Sequence, residues 1–200
     1  IKKGRLIQAK GLDYRLADLF DDPDRTKHYD GGVIITIYLA PHNYHRIHSM
    51  VEGEVREFSY ITGDLWTVSP LGVHHVPGLF ARNERLTTFL ATDKGECALV
   101  KVGATVVGRI KVCYHDLVSN RSGAKNQKIV LKTPFQVNRG EELGLFELGS
   151  TVICLFPKGQ IELGEFSLFF SSFSPFYLPS FALVPLFSFF FIPHPPPETT

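Results

Sequence analysis

The sequence has no marked excess of charge of either sign. Lysine and arginine together number 21 and aspartate and glutamate 20, so the formal net charge is +1 with neutral histidine. Neither end carries a run of acidic or basic residues. Because proteins that bind nucleic acid need a basic surface to meet the phosphates, this composition gives no electrostatic reason to expect nucleic acid as a partner.

The sequence is also poor in cysteine. Cys97, Cys113 and Cys154 are odd in number and show no short metal-type spacing. This pattern argues against a disulfide framework and favours a reducing compartment. We expect all three cysteines to be small buried hydrophobic residues.

The first residues, Ile1 to Arg5, include no initiator methionine and no apolar run. We therefore expect neither a signal peptide nor a membrane anchor to begin here, and we interpret the chain as truncated at its start.

The last 38 residues, 163–200, differ in composition from the rest. They hold ten of the seventeen phenylalanines and no lysine or arginine, and from Phe166 to Pro197 no residue is charged unless His194 is protonated. The length suffices for a membrane span, but a proline every few residues would kink a helix repeatedly. We interpret 163–200 as an atypical apolar tail outside a single catalytic domain at 1–162, and a membrane-inserted tail stays as the alternative.

The chain is long enough for one domain with a sizeable core. Runs rich in β-branched and aromatic residues, separated by Gly-, Asn- and Asp-containing turns, predict a mainly β fold of the β-rich α+β type. We expect curved, barrel-like sheets, with bulges at Gly103 and Gly108, and a few short helices, of which 11–19 is the best candidate. The predicted strands are 33–39, 51–58, 97–102, 105–112, 128–131 and 151–156.

Three histidines follow the strand at 33–39. If Pro41 opens a helical turn, His42, His45 and His48 fall at i, i+3 and i+6, so that successive pairs share roughly one face. Such a cluster could bind zinc, although Glu52 and Glu54 are the only acidic residues close by, and they fall in a predicted strand. The alternative is that these histidines are ordinary side chains, which we favour for His42.

Five short blocks follow one another along the chain. They are Leu6-Ile7-Gln8-Ala9-Lys10-Gly11, Tyr38-Leu39-Ala40-Pro41-His42-Asn43-Tyr44-His45-Arg46-Ile47-His48, Asn83-Glu84-Arg85, Val102-Gly103-Ala104-Thr105-Val106-Val107-Gly108 and Leu148-Gly149-Ser150-Thr151. Together the blocks resemble the phosphatidylserine decarboxylases from Leu6 to Gly159, and the last one, Leu-Gly-Ser-Thr around Ser150, resembles the self-cleavage site of that family.

The resemblance implies an enzyme made as a proenzyme that cuts itself between Gly149 and Ser150. Residues 1–149 would form the β chain and those from 150 the α chain, the two staying associated, and Ser150 would become a covalent pyruvoyl group. His48 would be the base that activates the Ser150 hydroxyl, and His45 the acid of the decarboxylation step. The pyruvoyl group would form a Schiff base with phosphatidylserine and release CO₂ and phosphatidylethanolamine.

The resemblance also implies a peripheral protein on the cytoplasmic face of the cell membrane, or on an organelle inner membrane in a eukaryote. The aspartate that supports the histidine base in this family lies upstream of the first block, where this chain has no counterpart, and Asn43 stands where many members have an aspartate. We interpret Asn83-Glu84-Arg85 as a partly exposed ion pair of little net worth. Two alternatives stay open: an unprocessed relative that binds lipid surfaces, and a zinc hydrolase.

Overall fold

The computed structural model describes residues 1, 4–7, 13–41, 43–105, 109–147 and 150–162. The strands are β1 (Arg5–Ile7), β2 (Asp13–Arg15), β3 (Val33–Tyr38), β4 (Arg46–His48), β5 (Gly53–Ile61), β6 (Arg85–Thr92), β7 (Gly95–Val102), β8 (Ile110–Val112), β9 (His115–Val118), β10 (Gln127–Val137), β11 (Glu142–Phe146) and β12 (Thr151–Phe156). The helices are α1 (Leu16–Phe20), α2 (Pro70–His75) and α3 (Leu79–Arg82), and a 3₁₀ turn spans Arg25–Tyr29.

Six strands form an antiparallel sheet in the order β10-β5-β6-β7-β12-β3. The inner strand β12 is buried along its whole length, which suits its run of apolar and β-branched residues. Predicted strands at 33–39, 51–58, 97–102, 128–131 and 151–156 all lie in this sheet, so these five predictions are confirmed. The edge strand β10 is largely exposed and carries Pro134 where its register with β5 shifts, as is typical of a protected sheet edge.

A second antiparallel sheet, in the order β4-β11-β8-β9, packs on one face of the first. Tyr114, in the turn between β8 and β9, stacks edge-on against Phe58 of β5 and shares a hydrogen bond with Thr88 of β6. Residues of both sheets belong to one hydrophobic core. The space between the sheets is where the candidate site lies.

Helices α1 and α3 pack on the opposite face of the six-stranded sheet. The Phe20 and Phe89 rings meet edge-on, with centroids 5.5 Å apart. Arg85, fully buried on the same face, donates hydrogen bonds to the carbonyls of Asp18 and Leu19 near the end of α1 and of Ala81 and Asn83 near the end of α3. One guanidinium therefore satisfies carbonyls that two helix ends leave without partners.

The mainly β fold is confirmed, as are the single domain and the few short helices, but the sheets are open rather than closed. No helix in the described ranges has the length and hydropathy of a membrane-spanning segment. The tail at 163–200 and the glycine at 108 lie outside the described residues.

Three local predictions are wrong. Residues 13–15 form β2, which pairs with β1, so the helix begins only at Leu16 and not at residue 11. Arg46–His48 is strand β4 rather than part of a helical turn after Pro41, because this segment pairs with β11. Strand β8 begins at Ile110 and not at residue 105, where the chain turns. Pairing with a neighbouring strand overrides the local pattern in the first case, pairing with a strand remote in sequence in the second, and a turn in the third.

The cysteine prediction is correct for two of the three residues. Cys97 and Cys154 are buried in the six-stranded sheet, and burial raises the pKa of both thiols. Cys113 is exposed, because it lies in the turn that joins β8 to β9. All three are free thiols.

Candidate active site

Ser150 is fully buried directly before β12, at one end of the six-stranded sheet. Its backbone carbonyl accepts a hydrogen bond from the N–H of Leu39 at 2.6 Å, and its hydroxyl donates to the carbonyl of Val102. These contacts hold the residue between β3 and β7. Its predicted partner in cleavage, Gly149, lies outside the described residues.

His48 ends β4 in the four-stranded sheet and is held through both ring nitrogens. Nδ1 lies 2.8 Å from the carbonyl oxygen of Gly140, and Nε2 lies 2.9 Å from the hydroxyl of Tyr44. Since a carbonyl oxygen only accepts, Nδ1 must carry the hydrogen, and Nε2 of the neutral ring then accepts from the tyrosine. The ring is therefore held in the tautomer whose Nε2 lone pair can act as a base.

A cavity between the sheets has His48 and two neighbours of Ser150 in its wall, though not Ser150 itself. His48 forms part of the cavity wall together with Leu39 and Val152. Leu39 holds Ser150 through its N–H, and Val152 lies two residues beyond Ser150 along the same strand. Because alternate residues of a strand share a face, the sheet directs Ser150 toward the side on which His48 lies.

His45 lies in the segment before β4 and is partly buried. Its backbone carbonyl accepts a hydrogen bond from the N–H of Phe146 at 3.0 Å, and its Nε2 atom is buried. His42 lies outside the described residues. Within the described ranges, no group of three His, Cys, Asp or Glu side chains is placed to hold a metal ion.

The cavity is apolar with two cations in its wall. Ile37, Leu99 and Met50 are among its apolar residues, and Arg46 and Arg139 supply the positive charge. One guanidinium nitrogen of Arg46 lies 2.6 and 2.8 Å from the two carboxylate oxygens of Glu142, so that cation is already paired. An anionic group on an apolar molecule is the kind of ligand that this lining fits.

Asn83-Glu84-Arg85 is buried, so its prediction as a partly exposed ion pair is wrong. Asn83 joins Trp66 to Gly103: its amide nitrogen donates to both of their carbonyls, at 2.8 Å each, and its oxygen accepts from the Trp66 N–H at 3.0 Å. Glu84, only 5% exposed, accepts from the Tyr60 hydroxyl and from the Asn120 N–H. The neighbouring charges of Glu84 and Arg85 point to different partners because successive residues of a strand face opposite sides.

Lys101 is a second buried charge that the sequence did not single out. It is fully buried in β7, and its ammonium donates to the hydroxyl of Thr88 and, at 3.4 Å, to the carbonyl of Leu99. Burial lowers the pKa of Lys101 from its ordinary value of 10.5 to about 7. No carboxylate is among its hydrogen-bond partners in the described part of the chain. The free-energy cost of burying the protonated amine is therefore largely uncompensated.

Sequence reasoning missed two partners of His48. Tyr44 lies inside the histidine block, and its spacing of four residues from His48 was a signal that could have been used. Gly140 is 92 residues away in the turn before β11, and its contact is made by a backbone carbonyl, which no side-chain pattern reveals.

Comparison with known proteins identifies the family. The profile described as phosphatidylserine decarboxylase matches residues 1–168. The chain is 48% identical over 165 residues to the phosphatidylserine decarboxylase proenzyme of Anaeromyxobacter sp. (strain K), covering 82% of this chain and 58% of that protein. It is 46% identical over 165 residues to the Brevibacillus brevis proenzyme (81% and 59%), and 46% identical over 158 residues to that of Myxococcus xanthus (79% and 56%).

The chain thus spans less than three-fifths of the length of these three relatives. The comparisons support neither the lipid-binding module nor the zinc hydrolase. With 168 of its 200 residues matched by the profile, the chain belongs to the phosphatidylserine decarboxylase family.

Proposed function

We propose that this chain is a pyruvoyl-dependent phosphatidylserine decarboxylase that matures by cutting itself between Gly149 and Ser150. The observation that carries the proposal is the position of Ser150: it is fully buried where β12 begins and is bonded to Leu39, which lines a cavity together with His48 in its base-competent tautomer. Relatives named as proenzymes support the expectation of a processed chain.

Self-cleavage would begin with a proton transfer. His48 Nε2 would take the proton of the Ser150 hydroxyl, since a serine hydroxyl is a weak nucleophile until a neighbouring base activates it. The hydroxyl must first leave the Val102 carbonyl, and Tyr44 must release Nε2. The serine oxygen would then attack the carbonyl of Gly149, and the amide would become an ester.

The residues around Ser150 suit the pyruvoyl group that would result. They exclude water from position 150 and keep its backbone fixed through Leu39, while the cavity supplies room beside it. When formed, the pyruvoyl ketone supplies an acceptor for the electrons released as CO₂ leaves. His45 would hold and deliver a proton there, because imidazole titrates near working pH.

A lipid substrate requires the site to open toward a bilayer. Two exposed aromatic side chains, Tyr38 and Trp66, are 45% and 44% accessible. Both lie at the end of the sheet that carries Ser150: Tyr38 pairs with Thr151, and Trp66 is tied through Asn83 to Gly103. Exposed tyrosine and tryptophan favour the membrane interface, so this end would meet the phosphatidylserine surface.

The test is decarboxylation of phosphatidylserine in mixed vesicles with phosphatidylcholine. We expect the 200-residue chain to produce phosphatidylethanolamine and CO₂, and to lose this activity after treatment with phenylhydrazine, which blocks ketones. Phosphatidylcholine vesicles alone, whose headgroup has no carboxyl group to lose, are the control. A fully cut chain that makes no phosphatidylethanolamine would contradict the proposed substrate.

A further inference from the structure

Glu84, Gly103 and Ser150 form a row across three neighbouring strands. Arg85 and Thr151 both pair with Val102, so the next positions along the strands place Glu84 and Ser150 on the two sides of Gly103. The N–H of Gly103 donates to the Glu84 carbonyl at 2.7 Å, which shows that the pairing of β6 with β7 continues to this point.

The three residues face the cavity side of the sheet. Leu86, Lys101 and Val152 form the preceding row on the same face, and Val152 lines the cavity. The row of Glu84, Gly103 and Ser150 lies two positions further along the strands. Because alternate residues of a strand share a face, this row faces the same side of the sheet. Since the middle residue is glycine, the row itself places no side chain between the carboxylate and the serine; the nearest other side-chain atom is Leu65 Cδ2, 3.1 Å from the position of a Cβ on Gly103.

The Glu84 carboxylate leans over that glycine. Its Oε2 atom lies 3.4 Å from the position that a Cβ on Gly103 would occupy. Ser150 is the next position beyond that glycine in the row, about one strand spacing of 4.8 Å from Gly103.

One oxygen of this buried carboxylate is engaged and the other is available. Oε1 accepts from the Tyr60 hydroxyl and, at 2.7 Å, from the Asn120 N–H. Oε2 is buried and accepts no hydrogen bond from any residue that the structure describes. A buried carboxylate oxygen without a donor is costly, so its retention beside a reacting serine points to a chemical task.

We propose that Glu84 is a further catalytic residue of self-cleavage, the base that removes the α-proton of Ser150 from the ester. This inference rests on the proposed function. Glu84 Oε2 takes the proton from Cα, the C–H electron pair forms the Cα–Cβ double bond, and the Cβ–O bond breaks with its electrons on oxygen. Gly149 leaves as a carboxylate, and residue 150 becomes dehydroalanine.

The same carboxyl group then returns its proton to Cβ, which becomes a methyl group as the enamine turns into an imine. Water hydrolyses the imine to the ketone and releases ammonia. His48 and Glu84 thus divide the work: the histidine makes the ester, and the glutamate breaks it.

The test is Glu84→Gln in the 200-residue chain, analysed by intact mass with and without hydroxylamine. Glutamine keeps an oxygen for Tyr60 and Asn120 but is no base, so we expect elimination to slow by about 10²-fold or more and the ester to accumulate. Hydroxylamine cleaves esters, and should split the uncut variant into residues 1–149, ending in a hydroxamate, and 150–200, beginning with an intact serine. The sequence has no Asn-Gly bond, the peptide link that hydroxylamine also attacks.

Two further variants separate catalysis from folding. Tyr60→Phe removes a donor to the same carboxylate but leaves the base, so we expect it to cut within about tenfold of the wild-type rate. Glu84→Asp keeps the charge at a greater distance, and we expect slow cutting with a hydroxylamine-sensitive uncut fraction. Thermal unfolding reports whether each variant is folded.

The proposal is overturned if Glu84→Gln cuts at the wild-type rate, or if folded Glu84→Gln or Glu84→Asp stays uncut and resists hydroxylamine. A wild-type chain that neither cuts nor yields to hydroxylamine overturns the proposed function itself, and Glu84 catalysis with it. A wild-type chain that cuts normally, with Glu84→Gln equal to it, rejects the glutamate alone.

Discussion

Replacing His48 with glutamine is expected to slow self-cleavage at Gly149–Ser150 by about 10²- to 10⁴-fold, the range of a general base. Glutamine can still donate to the Gly140 carbonyl and fill the same space, but it has no nitrogen able to take a proton at neutral pH. The ester then forms more slowly by the same factor. The measurement is the fraction of cut chain against time by intact mass.

His28→Gln is the matched control, because His28 is an exposed histidine in the 3₁₀ turn. Tyr44→Phe is a sharper control, since it removes the hydroxyl that contacts Nε2 and leaves the base. We expect both controls to cut. If Tyr44→Phe fails as completely as His48→Gln, or if His48→Gln cuts like the wild type, the assignment of the base to His48 is wrong.

The uncut His48→Gln chain should resist hydroxylamine, because it is arrested before the ester. The uncut Glu84→Gln chain should be sensitive, because it is arrested after it. This difference orders the two residues along the reaction, which a loss of activity alone would not do.

Replacing Lys101 with methionine is expected to stabilise the fold by about 4 kcal/mol at pH 6, with the gain falling toward zero near pH 10. Burial lowers the pKa of Lys101 from 10.5 to about 7. Below pH 7 the lysine is protonated in both the folded and the unfolded chain, so the full cost of burying the charge is present. Between pH 7 and 10.5 only the unfolded chain holds the proton, so the wild-type stability rises with pH.

The measurement is urea unfolding at pH 6, 8 and 10 in a Ser150→Ala background, which keeps the chain uncut. Methionine fills the space of the lysine stem, and the Thr88 hydroxyl keeps its contact with Tyr114. Lys128→Met is the control, because that lysine is 57% exposed and its pair with Asp22 contributes at most about 1 kcal/mol. If the gain in unfolding free energy from Lys101→Met stayed constant with pH, it would contradict the expectation that Lys101 is neutral in the folded chain at alkaline pH.

The sequence predicted best where a strand is buried along its whole length. The apolar run at 151–156 is β12 without a shift in either boundary. The half-buried edge strand Val33–Tyr38 also differs from its prediction by only one residue. In such strands nearly every side chain is apolar, so the local pattern and the final environment agree.

Predictions were wrong where pairing with a distant segment decides the conformation. The histidine spacing suggested a helical turn, but Arg46–His48 pairs with residues 142–145 and becomes a strand. Glu84 and Arg85 are adjacent and opposite in charge, which suggested a surface pair. Both residues are buried because β6 is an inner strand of the sheet. Arg85 donates to carbonyls at two helix ends, and Glu84 faces the cavity side. The sequence Asn83-Glu84-Arg85 alone indicates neither environment.

The candidate site was predicted in part, because its residue types came from the family resemblance. Ser150, His48 and His45 were proposed by number; His48 lines the cavity, and Ser150 is bonded to Leu39 in the cavity wall. Gly140 and Glu84 could not be assigned roles from the sequence, since their parts depend on a backbone carbonyl and a strand register.

The most direct measurement is the intact mass of the purified 200-residue chain beside its Ser150→Ala variant, which cannot form the ester. We predict two fragments of 149 and 51 residues from the wild type, the smaller one blocked by a pyruvoyl group, and a single uncut mass from the variant. A wild-type chain that stays at one mass, resists hydroxylamine and matches Ser150→Ala in every respect would contradict self-cleavage at Gly149–Ser150.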